Sequence, residues 1–498
     1  TIPQRALAML LIAVSCSGPL SAADPTSDEI LATMKVAATF MRDEVALNGG
    51  YVWVVSEDLS QRWGEVPARP SQIWLQGGTE RVAQVMLDAY EATGDDYYLD
   101  IARDAADALV YGQHPTGGWH YFIDFDPPAI PAWYAAVASK FLFGMEEYRY
   151  FYGNATFDDR ATQDAAQFLL RFYTLTLEAA YREPVLKALD FLLVSQYPNG
   201  AWPQRYPLRD DYEHDGFPDY TSFYTLNDGA AQANIELLID AWEALGDPRD
   251  FEAAVRGAEA LIALQGPADQ GCWAEQYGPD MQPIAARTHE PAGYVVRESI
   301  GAMYILGRFY LMTGDTRYLD PIPRCLEWFD RINRESAEQK YPKPRYWEPG
   351  TNRPIYAVKV NERTPDGYGV FLWTSDPAKT RCGDGPCMGD GRPVVDVEFL
   401  RAKLDETAAK KTPEARADFL VEIRDQGRPQ SRGSENIADI IAALDERGAW
   451  VTGGVQVNVA NAASYEEQHI TITGISTATF VARMTALIAA LQNNEGSD

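Results

Sequence analysis

A turn of glycine and tryptophan recurs along this chain, as TGGWHYF at 116–122, NGAWPQRYP at 199–207 and QGCWAEQY at 270–277, and it leaves few architectures open. Around these turns lie pairs of amphipathic stretches joined by a TGD-like turn, at 79–110, 227–265 and 297–332, with a more worn copy at 161–195. In each stretch apolar residues return every three or four positions, which is the helical period. Acids at the starts and Gly after the first helix of a pair are ordinary start and stop signals. A helical hairpin of this size cannot bury its own apolar face, so repeated hairpins must stack or close into a ring. The pattern therefore predicts an all-α chain, an α/α toroid or incomplete α/α barrel, with its Gly-Trp turns gathered at one end. Loop ends of that kind are where sites sit.

The 498 residues, 46% of them hydrophobic, suffice for one large core. The opening stretch, TIPQRALAMLLIAVSCSGPLSAADP, has Arg5, an apolar run from Ala6 to Val14 and small residues before a polar start. It reads as a signal peptide over 1–22, so the expected protein is secreted or periplasmic, with one toroid domain over 23–498. No other stretch has the ~20 uninterrupted apolar residues that a membrane helix needs, so no membrane partner is expected. From about 374 to 433 the helical pattern gives way to a polar insertion, and buried-helix character returns at 477–491. After Cys16, four cysteines remain; CGDGPC at 382–387 closes a tight loop, and Cys272 with Cys325 is a second possible pair.

Formal charge is −29 and the pI is about 4.6, without a block of Lys and Arg, which excludes nucleic acid as a natural partner. An anionic ligand would need a local basic site or a bridging cation. The five His form no HxxH or HExxH pattern, so zinc chemistry is disfavoured, and GxSxG, GxGxxG and P-loop motifs are absent.

What remains is acid and arginine beside the Gly-Trp turns. Asp158 in TFDD and Asp228 in TLNDGA each precede a helix, and a single such Asp is ordinarily an N-cap. Two at matching points of neighbouring repeats would converge on one end of the ring and offer hard oxygens suited to Ca²⁺. Two carboxylates fill few of its roughly six to eight positions, so a ligand would have to supply more oxygen. Arg287, Glu290 and Arg297 follow the Trp273 turn, and Arg345 and Lys359 lie in the aromatic-rich PRYWEPGTNRPIYAVKV. Cations beside Trp and Tyr in so acidic a chain suggest recognition of a carboxylated sugar, with Trp119 and Trp202 as stacking surfaces.

At these residues the sequence resembles polysaccharide lyase family 10, the α/α-toroid pectate lyases. TFDDRATQDAAQFLL is similar to the element TIDNxATTTExxFL, and NGAWPQRYP…YTLNDGA to NGGWPQFYP…ITFNDDA. CWAEQYGPDMQPIAARTHEP…ES resembles WCQQHDxxTxxPxxARxxEP…ES, and RYWEPGTNRPIY resembles RFYxxxTNxPIF. The likeness runs from Trp119 to about Pro354. It implies Ca²⁺-dependent β-elimination on 1,4-linked polygalacturonate by a monomer. Asp158 and Asp228 then hold Ca²⁺, Arg287 is the base, and Arg345, Lys359 and Arg297 serve the substrate carboxylates. Two departures stand out: Lys359 replaces an Arg, losing the bidentate fork, and Tyr121 stands where the turn GGWPKN has Lys. Two further readings follow from the same residues. One is a hydrolase using two carboxylates among Asp158, Asp228 and Glu290, and the other is an inactive carbohydrate-binding relative.

Overall fold

The computed structural model describes residues 25–141, 146–148, 151–209, 219–339, 344–359, 371–376, 394–427, 435–462 and 465–495. The expected signal at 1–22 and the CGDGPC loop lie outside them. Its helices are α1 (Ser27–Phe40), α2 (Thr79–Thr93), α3 (Asp96–Gly112), α4 (Ile130–Ala136), α5 (Ala161–Thr176), α6 (Ala179–Ser195), α7 (Ala230–Leu245) and α8 (Pro248–Leu264). They continue as α9 (Val296–Thr313), α10 (Ile322–Gln339), α11 (Val397–Ala408), α12 (Pro413–Gly427), α13 (Ile437–Ala442), α14 (Tyr465–Gln468) and α15 (Thr477–Glu495). The periodic stretches thus become α2/α3, α5/α6, α7/α8 and α9/α10, and the expected last helix is α15. None of the helices described is long and apolar enough to cross a membrane.

Packing makes a toroid of two layers. Inside, α15 packs on α2, α2 on α5, α5 on α7 and α7 on α9, while α3, α6 and α8 back them outside. Within hairpins, the short connections end the inner helix on a left-handed residue, Gly94, Gly246 and Gly314, with Leu177 in the worn copy. The long connections run from an outer helix to the next inner one. All but the pairing at 346–374 of the short antiparallel strands fall in these connections, a feature that helical periodicity cannot announce.

The Gly-Trp turns explain why these connections return to the same end. The last carbonyls of a helix have no partner inside it. Trp119 donates its indole N–H to Leu109 of α3 at 2.8 Å, Trp202 to Leu192 of α6 at 2.9 Å and Trp273 to Leu261 of α8 at 2.7 Å. Trp450 does the same to Ile440 of α13 at 3.0 Å, which reveals a further turn of the series at RGAW, 447–450. Gly117 and Gly200 have positive φ, and a Cβ at either would meet the backbone carbonyl of Lys187 or Arg256 on the next outer helix. Each turn is thereby clamped between two consecutive outer helices.

Trp119 and Trp202 are buried at 0% and 1% exposure, which corrects their expected role as stacking surfaces: both rings are consumed by the cap. Cys272 and Cys325 form the disulfide that links the third turn to α10. Of the stretch expected as an insertion, α11 packs on α9 and α10, and α12 packs on α9. Together with α5, α7 and α9 these two helices line a largely apolar cavity of about 950 Å³ toward the C-terminal half of the inner helices.

If the indole N–H holds the turn, Trp202→Phe keeps most of the buried area and leaves the Leu192 carbonyl only the longer bond from the Ser195 hydroxyl at 3.3 Å. Urea unfolding should show a loss of about 1–3 kcal/mol with no weakening of ligand affinity; a loss of affinity at unchanged stability would restore the stacking role.

Candidate active site

Two loops of like construction enter the site. In each, a short strand ends in Thr and the next backbone N–H donates across the ring connection, Phe157 to the Gln204 carbonyl at 2.8 Å and Leu226 to the Glu275 carbonyl at 2.7 Å. A tight turn follows, with two residues in the left-handed region before the helix: Asp159 and Arg160 ahead of α5, Asp228 and Gly229 ahead of α7. Asp and Gly tolerate that region, whereas Arg160 is held there at a cost of about 1 kcal/mol. Neither helix has a side-chain N-cap, so the expected capping role of these acids is not what the loops use. The backbone also shifts the expected match by one residue: Asp228 corresponds to Asp159, and Asp158 to Asn227.

Asp158 and Asp228 nevertheless come together. The Asn227 side-chain amide donates to Asp228 at 2.8 Å and to Asp158 at 3.4 Å. Asp158 is buried and also accepts from the Tyr121 hydroxyl at 2.6 Å and from Arg287 Nη1 at 3.2 Å. Tyr121, the departure from the resembled turn, thus supplies a donor to the same carboxylate.

Arg287 is buried at 7% exposure and clamped on one side by Glu290, whose oxygens take Nε at 3.0 Å, Nη2 at 2.7 Å and the Arg287 backbone N–H at 3.0 Å. That bidentate grip aims Nη1 at Asp158 and at Glu147, each 3.2 Å away. Its loop is pinned by Trp373, which donates to the Thr288 carbonyl at 2.9 Å, and by the Tyr346 hydroxyl, which donates to the His289 carbonyl at 3.3 Å. Burial alone would lower the guanidinium pKa, but Asp158, Glu290 and Glu147 outweigh it and hold the group well above its ordinary range. In this arrangement Arg287 is a firm cation and a poor proton acceptor. Burial would likewise raise Glu290, yet the Arg287 charge pushes it down to about 2, so the expected acid role of Glu290 in a hydrolase is not supported.

The other cations sit at the rim. Arg297 pairs with Asp228 at 2.7 Å with its side chain 62% exposed, and Arg345 pairs with Glu275 at 2.6 Å with its side chain 45% exposed. Arg160, Asp228, Arg297 and Glu298 line a small cavity of about 190 Å³. Burial and then the Glu275 charge raise Glu298 to about 8. Lys359 ends a strand paired with Phe371, and its side chain lies outside the described residues.

Sequence reasoning missed Glu147, Asn227, Asp159 and Glu65. Only Asn227 and Asp159 had a visible signal, the alignment of TFDD with TLND. Burial, then the charges of Asp158 and Asp228, raise the Asp159 carboxyl well above its usual range; the Gln76 amide donates to it at 2.5 Å. Burial and then Glu147 push Glu65 up to about 8, and the Tyr148 hydroxyl donates to it at 2.9 Å. Because its folded pKa is raised, Glu65 supports stability fully below about pH 4.3, and that support is lost as pH rises toward about 8. Glu65→Gln should therefore flatten the decline in unfolding free energy between about pH 5 and about pH 8, measured by urea titration; an unchanged slope would show Glu65 ionised throughout.

Residues 145–352 match the family model described as pectic acid lyase. Among solved structures, a family 10 polysaccharide lyase from Cellvibrio cellulosa is similar at 21% identity, over 56% of this chain and 81% of its own, with a TM-score of 0.37. A mutant of a family 10 polysaccharide lyase from the same organism, in complex with trigalacturonic acid, is similar at 20% identity over 64% and 98%, with a TM-score of 0.40. An α-mannanase from Bacteroides thetaiotaomicron is similar at 11% identity over 94% and 97%, with a TM-score of 0.44. No curated protein matches the chain.

Proposed function

We propose that this chain, whose residues 145–352 match the pectic acid lyase family model, is a polysaccharide lyase that cleaves 1,4-linked polygalacturonate by β-elimination. The observation that carries the reading is convergence. Tyr121, Asp158, Asn227, Asp228, Arg287 and Glu290 come from three separate connections and meet through direct hydrogen bonds at one end of the ring.

In a galacturonan the proton on C5 lies next to a carboxylate, and removing it builds enolate-like charge. The C5–H electron pair then forms the C4–C5 double bond while the C4–O bond breaks and the departing oxygen gains a proton. Exposed Arg297 and Arg345 suit the substrate carboxylates, since a guanidinium can grip them in bidentate fashion. Arg287 Nη1, the end that Glu290 leaves free, is the atom we assign to the C5 proton. That role requires a neutral guanidine, and its three carboxylates oppose it. Withdrawal of Glu147 and engagement of Asp158 elsewhere would remove two of them.

We infer a Ca²⁺ requirement from the donor set. The charges of Asp158 and Asp228 add to burial in raising the neighbouring Asp159 carboxyl, a local excess of acid that fits a hard cation. Among the described residues no three metal-binding side chains gather, so Asp158 and Asp228 would hold the ion together with substrate oxygens. Bound Ca²⁺ would supply neutralisation of the carboxylate beside C5. Export is also part of the proposal, supported by the apolar run at 6–14 and by the Cys272–Cys325 disulfide, which suits an oxidising compartment.

Polygalacturonate should yield products with the ultraviolet absorbance of a conjugated double bond, and EDTA should abolish the signal until Ca²⁺ is restored. Asp158→Asn should lose about 10²-fold or more in kcat/KM with the fold retained by circular dichroism. Reducing sugar released without that absorbance, or turnover indifferent to EDTA, would reject the lyase or its metal in turn.

A further inference from the structure

Arg205 lies in the second Gly-Trp turn, 0% exposed, with none of its three guanidinium nitrogens hydrogen-bonded. Its backbone is locked beside the site: it pairs with Thr156, two residues before Asp158, and its N–H donates to the Thr221 carbonyl at 3.1 Å. Its guanidinium lies against the rings of Tyr121 at 4.9 Å and Tyr152 at 4.6 Å, and no described carboxylate bonds to it. Stacking satisfies the two faces of such a group and leaves its edge, which carries all five N–H donors, unanswered. A buried cation without an anion is the arrangement that proteins ordinarily avoid.

Two departures from the resembled motifs meet at this contact. Tyr121 stands where GGWPKN has Lys, and Arg205 stands where NGGWPQFYP has Phe. The pair still holds one ring and one cation, with the two exchanged between neighbouring turns. Through Tyr121, whose hydroxyl donates to Asp158, Arg205 is one ring away from Arg287. Tyr152, itself buried, lies between Phe151 and Gly153, both of them exposed, so this side of the guanidinium is near the surface.

We propose that Arg205 is a carboxylate-binding residue, which receives one uronate carboxylate of the bound chain on its guanidinium edge when Tyr152 turns aside. This rests on the acidic-polysaccharide reading above and extends it to a subsite of its own. The bound carboxylate answers the donors that the free protein leaves unpaired, so the site discriminates acid from neutral sugar and adds nothing for a neutral one.

Calorimetry with trigalacturonate and with neutral 1,4-linked galactotriose separates the possibilities. Arg205→Phe should weaken trigalacturonate binding at least tenfold and leave galactotriose unchanged. Arg205→Lys should fall between Arg205→Phe and the native protein. The ligand-free melting temperature of Arg205→Phe should be equal or higher, because an unpaired buried charge has been removed. Should Arg205→Phe fail to fold, the Arg205→Lys comparison decides in its place. Native affinity for trigalacturonate in the folded variants, or an equal loss for both sugars, overturns the proposal and leaves Arg205 a packing residue. Unsaturated product from the native protein tests the lyase reading separately: a native protein that binds acid through Arg205 without making it would keep the subsite and lose the chemistry.

Discussion

The indole N–H of each Gly-Trp turn, donated to the last turn of the helix before it, is what the rest of the molecule hangs on. A helix that ends with free carbonyls under a buried ring would be costly, and here one side chain both covers the end and satisfies it. A glutamine completes the clamp. Gln113, Gln196 and Gln265 each donate to a carbonyl of their own turn, and also to Pro184, Ala253 and Pro321 of the following unit. Each connection therefore starts from a fixed point, with its outer neighbour already in register. Loops anchored that way can hold side chains tens of residues apart in sequence within hydrogen-bond distance of one another.

That repeat was legible because helical period and turn chemistry are local properties, and the ring follows from hairpins that cannot bury themselves. The site was legible in part. Asp158, Asp228 and Arg287 lie together at one end, yet the expected register between the two acid loops was off by one, because the left-handed residues that set it are spelled differently, Asp-Arg in one and Asp-Gly in the other. Trp119 and Trp202 were misread for a physical reason. A tryptophan after a glycine looks the same in sequence whether it caps a helix or faces a sugar, and only its burial distinguishes them. Glu147 left no trace at all: it reaches Arg287 from a segment without period or repeat, so nothing local could place it.

Charge placement bears on how so acidic a chain could serve the acidic substrate proposed for it. The excess is spread over the surface, where salt screens it, while cations are placed by depth. Arg297 and Arg345 lie at the rim, the first paired with Asp228 and Glu298 and the second with Glu275, and both are still about half open to solvent, so they can exchange a protein partner for a ligand at little cost. Arg287 lies deeper, with three carboxylates about it, and cannot be approached without disturbing that set.

The three partners are not equivalent, and their difference bears on chemistry. Glu290 is three residues from Arg287 in the same pinned loop, and its two-point grip fixes the plane of the guanidinium; its removal would cost both orientation and charge balance. Asp158 belongs to a second loop and is shared among Tyr121, Asn227 and Arg287, so it has other donors to turn to. Glu147 lies in a short helical turn at Glu146–Tyr148 and meets the same Nη1 that faces Asp158. A substrate carboxylate entering beside Nη1 would repel Glu147 and Asp158 alike. In the proposed reaction the proton affinity of Arg287 would therefore follow from how many carboxylates remain around it once substrate is bound.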